Sequence, residues 1–138
     1  MQVFISHAAD DADLAKRIAD QLRHCGLEVW TDTRTLPGDN WGLKLAEALQ
    51  TSDAMVVLLT KDSAHSPNVS REVGYALGSK EYRGRVIPVI AAPPKEPPEK
   101  EIPWVLRRFQ MIRLEGDDRD DERLKKLAET LLAPMPMP

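Results

Sequence analysis

Residues Ala54 to Leu59 read AMVVLL, an unbroken apolar run between Asp53 and Thr60. A strand with one wet face alternates apolar and polar residues, so a continuous run of this length marks a central strand covered on both faces. The neighbouring segments supply such covers. Val3-Phe4-Ile5 is a short apolar strand candidate, and Asp10 to Asp13 then place acids at the start of a helix whose Leu14, Ile18 and Leu22 recur every four residues. Gly26 closes that helix. Leu27 to Trp30 is a second strand, followed by the loop TDTRTLPGDN. Asp39 or Asn40 caps a second helix with Trp41, Leu45, Ala48 and Leu49 on one side. Arg85 to Ala91 and Phe109 to Leu114 read as two further strands, and the segment PPKEPPEKEIPW between them reads as a long surface loop. A last helix carries Leu124, Leu127, Ala128 and Leu131 on one face.

Strands alternating with helices in this way imply an α/β fold: a flavodoxin-like three-layer αβα arrangement around a five-stranded parallel sheet of order 2-1-3-4-5. Ligands in such folds bind beyond the carboxyl ends of the strands, where the winding direction switches between the first and third strands. That crevice is edged here by Ser6-His7-Ala8-Ala9 and Thr60-Lys61-Asp62-Ser63. Residues 1–132 form the expected domain, and 133–138, ending in PMPMP, are a proline-rich tail or the stub of a linker.

Composition narrows the function classes. A chain of 138 residues, 42% hydrophobic and 30% charged, is long enough for one real core. Its formal net charge of −3 argues against binding nucleic acid by neutralising phosphates. No apolar run approaches a membrane span, no signal peptide is expected ahead of VFIS, and the expected compartment is the cytoplasm. The lone Cys25 forms no internal disulfide, and His7, His24 and His65 lack metal-ligand spacing, so no metal is expected. Phosphate-loop, dinucleotide-fingerprint and nucleophile-elbow motifs are all missing. A phosphorylatable receiver domain shares the strand order and resembles this chain in the acidic pair Asp10-Asp11, but that pair lies well past the first strand; Asp62 is the candidate for the aspartate it needs at the end of strand three. It also needs a lysine ending the fifth strand, and that strand ends Ile112-Arg113-Leu114-Glu115.

The stretch SPNVSREVGYAL, residues 66–77, poses the sharpest question. Ser66 is an N-cap and Pro67 sits at the first helical position. Val69, Val73, Ala76 and Leu77 draw an apolar stripe, with Glu72 at its border. The helical neighbours of Glu72 at three and four positions are Asn68, Val69, Tyr75 and Ala76, so no basic residue can pair with it along the helix. The ordinary reading is a solvated glutamate, or one bridged in three dimensions to Arg71 or Lys80.

In order and spacing, VFISH, VWTD, LPGDNW, VVLLT and SPNVSREVGYAL resemble a Toll/interleukin-1 receptor (TIR) domain of the bacterial, NAD+-cleaving type, from Val3 to about Leu132. The resemblance implies the TIR fold and makes Glu72 the catalytic glutamate of the third helix. It implies cleavage of the nicotinamide–ribose bond, with NAD+ as substrate and no cofactor, giving nicotinamide and ADP-ribose or a cyclic isomer. It also implies antiphage defence, self-assembly with other TIR domains, and a fused or separate sensor or effector protein. The alternative is a non-catalytic TIR–TIR scaffold in signalling. The loop after the second strand, Asp32 to Asn40, corresponds to the family's BB loop, with Leu36, Pro37 and Gly38 as interface residues.

The other candidates are substrate contacts, each beside an ordinary reading. Ser6 and His7 meet the phosphates or the nicotinamide ribose, or only make a turn. Trp30 and Asp32 end the second strand, where Trp30 is equally a core residue. Arg34 attracts the pyrophosphate or pairs with an acid on a neighbouring domain. Tyr75 and Trp30 are the stacking groups left, because Val69 stands where many TIR enzymes carry a tryptophan. Trp41 reads as core or interface and Lys61 as solvated.

Overall fold

The computed structural model describes residues 1–31, 41–82 and 85–132. The candidates Asp32, Arg34, Leu36, Pro37 and Gly38, the cap at Asp39 or Asn40, and the tail 133–138 lie outside the described residues.

Strands β1 (Gln2–Ser6), β2 (Glu28–Thr31), β3 (Ala54–Leu59), β4 (Val86–Ile90) and β5 (Ile112–Arg113) form one sheet in the order β2-β1-β3-β4-β5. Every described pairing is parallel. Among the described residues four α-helices flank it: α1 (Ala12–His24), α2 (Trp41–Thr51), α3 (Pro67–Gly78) and α4 (Asp120–Leu132). All six residues of β3 are buried, as the unbroken AMVVLL run requires.

Side-chain alternation divides the core into two layers. Val3 and Ile5 of β1 face α1 and α4, where they join Ile18, Leu22, Leu127 and Leu131. Phe4 faces α2 and α3, where it joins Met55, Val57, Val69 and Val73. The end of α1 is as the sequence implies: Gly26 takes φ +96°, a left-handed turn that a residue without Cβ adopts cheaply. Cys25 is half-buried against the α1/α4 layer.

Two expectations change. The fifth strand is only Ile112–Arg113, not Phe109 to Leu114. Arg85 and Ala91, which flank β4, make their backbone bonds to β3, so the even-numbered residues of β4 direct theirs toward β5. Pro88 is among these and has no N–H to donate, which confines the β4–β5 ladder to Val89↔Ile112 and Ile90↔Arg113. The proline-rich segment is also more than a surface loop. It carries a short 3₁₀ turn at Glu99–Glu101 and leads into another at Trp104–Arg108, and its Ile102, with Leu106 just after it, is buried in the α2/α3 layer. Isolated apolar residues among prolines have no period, so this packing had no sequence signal.

Candidate active site

α3 begins as its sequence dictates. The Ser66 side chain accepts a hydrogen bond from the Val69 N–H at 3.3 Å, and Pro67 occupies the first turn. The buried face of the helix is Val69, Glu72, Val73 and Ala76, while Leu77 is 38% exposed. This is the i, i+3, i+4, i+7 pattern of a core helix with a carboxylate at its second position. Glu72 is thus inside the stripe, only 3% exposed, rather than at its border, and Leu77 is outside it.

The partner that meets Glu72 comes from β1. Ser6 is the last residue of that strand, two after Phe4, so its side chain faces α3. The Ser6 hydroxyl donates to Glu72 Oε1 at 2.6 Å, with both residues buried. A hydroxyl bonded this closely to a carboxyl group is charge-assisted, and stronger than a neutral pair, when the carboxyl is ionised.

The other candidates scatter around this pair. His7 is buried, with Nδ1 2.8 Å from the Ala8 carbonyl oxygen. A carbonyl only accepts, so Nδ1 carries a proton in this contact. Nε2 is buried with no hydrogen-bond partner among the described residues. Trp30 is half-buried opposite Phe4 across the β1–β2 ladder and stacks on it, with centroids 4.9 Å apart and planes at 19°. Much of its ring therefore serves the core. Tyr75 is 40% exposed and meets Tyr82 edge-on at 6.2 Å. Tyr82 is buried and donates to the Leu49 carbonyl at 2.8 Å. Burial, then the neighbouring Tyr75, pushes its phenol well above the ordinary range, so it stays neutral. Lys61 is exposed, in keeping with a solvated side chain.

A second cluster at the same end of the sheet was only half legible. Asp11 is buried; it accepts from the Thr60 hydroxyl through Oδ2 and from Lys95 Nζ at 2.8 Å through Oδ1. Thr60 Oγ1 also accepts the N–H groups of Asp62 and Ser63 at 3.1 Å, and Lys95 reaches Asp62 Oδ2 at 3.5 Å. The hydrogen bond to Asp11 is the main cause that raises the Lys95 ammonium above its ordinary pKa. The acids weighed for a receiver site thus do meet a lysine, but one from the loop after β4. Thr60 and Lys95 occupy the two Asp11 oxygens, which suits a clasp between loops.

A cavity of about 260 Å³ lies between α3 and the 97–106 segment, with Val69, Val73 and Ile102 in its walls; Glu72 is not among them. Among the described residues, no group of three His, Cys, Asp or Glu side chains is placed to hold a metal ion. No described helix is long and apolar enough to cross a membrane.

The family profile described as TIR domain matches residues 3–128. The chain belongs to the TIR domain family. The TIR domain of the Toll-related receptor TRR-2 from Hydra magnipapillata is similar to it in structure: TM-score 0.70, 16% identity, covering 94% of this chain and 96% of that one. A metazoan TIR-STING receptor from C. gigas, solved with 2′,3′-cGAMP, gives TM-score 0.70 at 23% identity, covering 91% of this chain and 38% of that one. The TIR domains of the activated Roq1 resistosome, which recognises the pathogen effector XopQ, give TM-score 0.55 at 22% identity, over 93% of this chain and 83% of that one. A search of curated protein sequences returns no match. The identities are low, so these structures establish the fold shared by this TIR domain, with its sheet order 2-1-3-4-5.

Proposed function

We propose that this TIR domain cleaves NAD+ at the nicotinamide–ribose bond, with Glu72 as its catalytic carboxylate. The observation that carries the reading is a glutamate buried in the core face of α3 and held by a serine at the carboxyl end of β1. Core positions of a helix favour apolar side chains, so a carboxylate kept there calls for a use. Nicotinamide leaves as a neutral molecule from a cationic substrate, so no general acid is required to expel it. The demand on the protein is to stabilise an oxocarbenium-like ribose, a task shared with glycoside hydrolysis. A preorganised carboxylate meets it by charge, by accepting from ribose hydroxyls, or as a transient nucleophile. Water then gives ADP-ribose, and an internal nucleophile a cyclic isomer.

The setting is bacterial antiphage defence in the cytoplasm, with activity raised when copies assemble through residues 32–40 and a sensor or effector acting upstream or downstream. Nicotinamide release by purified protein tests the chemistry, with Glu72→Ala and Glu72→Gln as controls; equal turnover in all three overturns it. Turnover per molecule that is the same in dilute and concentrated protein overturns the assembly requirement. One observation favours the scaffold alternative. Val69 is 5% exposed and packed in the α2/α3 layer, so it offers no aromatic surface beside Glu72. The scaffold reading predicts no nicotinamide even from clustered protein.

A further inference from the structure

Ser6 was read from the sequence as a substrate contact, but the hydroxyl hydrogen that such a contact would use is already donated to Glu72 Oε1. We infer that Ser6 is a positioning residue, whose hydroxyl fixes the rotamer of the Glu72 carboxylate and favours its charged form. The inference rests on the reading of Glu72 as the catalytic acid and adds how that acid is held.

Three observations carry it. The bond is short, 2.6 Å, and links two residues that are 0% and 3% exposed, so water does not compete for either group. Ser6 is fixed in its turn, because it closes β1 and pairs with Val57 of β3 in the middle of the sheet. Its side chain has a single rotatable carbon–oxygen arm, so the strand transmits its position to the carboxylate with little slack. A glutamate has three side-chain torsions, and a donor at one oxygen removes much of that freedom before substrate arrives.

A donor to the ionised form lowers the pH at which a carboxylate takes up a proton. Titratable side chains near the pair among the described residues include Tyr75 on the same helix, Tyr82 after it, which stays neutral, and His7 next to Ser6. Replacing Ser6 removes the donor and leaves these groups unchanged.

The test is Ser6→Ala beside Ser6→Thr, which keeps a hydroxyl on the same carbon, in the full chain. Ser6→Ala is expected to lower kcat for nicotinamide release at least tenfold at near-constant KM. The acid limb of its pH profile is expected to move up by about one pH unit. Ser6→Thr is expected to recover most of both. A raised KM with an unmoved acid limb would return Ser6 to the role of substrate contact and overturn the inference. The Glu72 carboxyl carbon, titrated by NMR in both variants and the parent, reads the same bond without turnover. An unchanged midpoint in Ser6→Ala overturns the inference even if the protein is an NAD+-cleaving enzyme. A raised midpoint in a protein that releases no nicotinamide upholds the positioning and removes only the proposed reaction.

Discussion

Asp11 and Glu72 are both buried carboxylates at the carboxyl end of the sheet, yet they are held in different ways. Asp11 has a hydroxyl on one oxygen and an ammonium on the other, from loops that follow β3 and β4. These contacts tie the segment before α1 to the rest of the switch-point crevice. Glu72 is held by the Ser6 hydroxyl and occupies a helix position that packing alone would fill with an apolar side chain. An acid whose contacts join loops serves the fold. The proposed chemistry falls on the one that interrupts a core face and is met there by a strand end.

The contrast can be broken most directly at Glu72. Glu72→Gln keeps an oxygen for Ser6 and removes only the charge, so the fold should persist while nicotinamide release falls by about a hundredfold or more. Circular dichroism beside a nicotinamide assay separates the two effects. Asp11→Ala should do the reverse. It leaves the buried Thr60 hydroxyl without its acceptor, a loss of about 2 kcal/mol in urea unfolding, with turnover per folded molecule little changed. A collapse of turnover in Asp11→Ala at full folding would erase the distinction.

Lys95→Met should have the smallest effect, because the lysine side chain is 36% exposed and its pair is screened by solvent. Its sign with pH is fixed. A raised folded-state pKa means the contribution is fully present below the ordinary lysine value of 10.5 and fades as pH rises through the higher folded value. The stability gap between the parent and Lys95→Met should therefore hold steady from neutral pH to about pH 10 and close only above that. A gap that closes near pH 7 would show that another group supplies the pairing.

The parts of the fold that were legible in the sequence are those where one local rule acts without competition. AMVVLL delimits β3 to the residue because full burial leaves no polar interruption. Ser66-Pro67 starts α3 because a cap and a fixed φ agree. The readings that shifted depend on contacts with distant residues. The orientation of α3 about its own axis puts Glu72 inside and Leu77 outside, and the stripe of valines alone did not fix that angle. The length of β5 depends on which side of β4 faces it and on Pro88. Lys95 reached Asp11 from a proline-rich stretch with no periodicity to place it. Within the site, the family resemblance singled out Glu72, which its residue type alone left as an ordinary helical glutamate, whereas the use of the Ser6 hydroxyl required knowing which way β1 ends.

The bond between Ser6 and Glu72 joins residues 66 apart in the chain. During synthesis Ser6 emerges before Glu72 and has no carboxylate to hold until β3 has paired beside it and α3 has docked. Closing so long a loop comes late relative to local helix formation. A chain still being translated therefore lacks the Ser6–Glu72 pair, on which the proposed chemistry depends, until most of the sheet has been built.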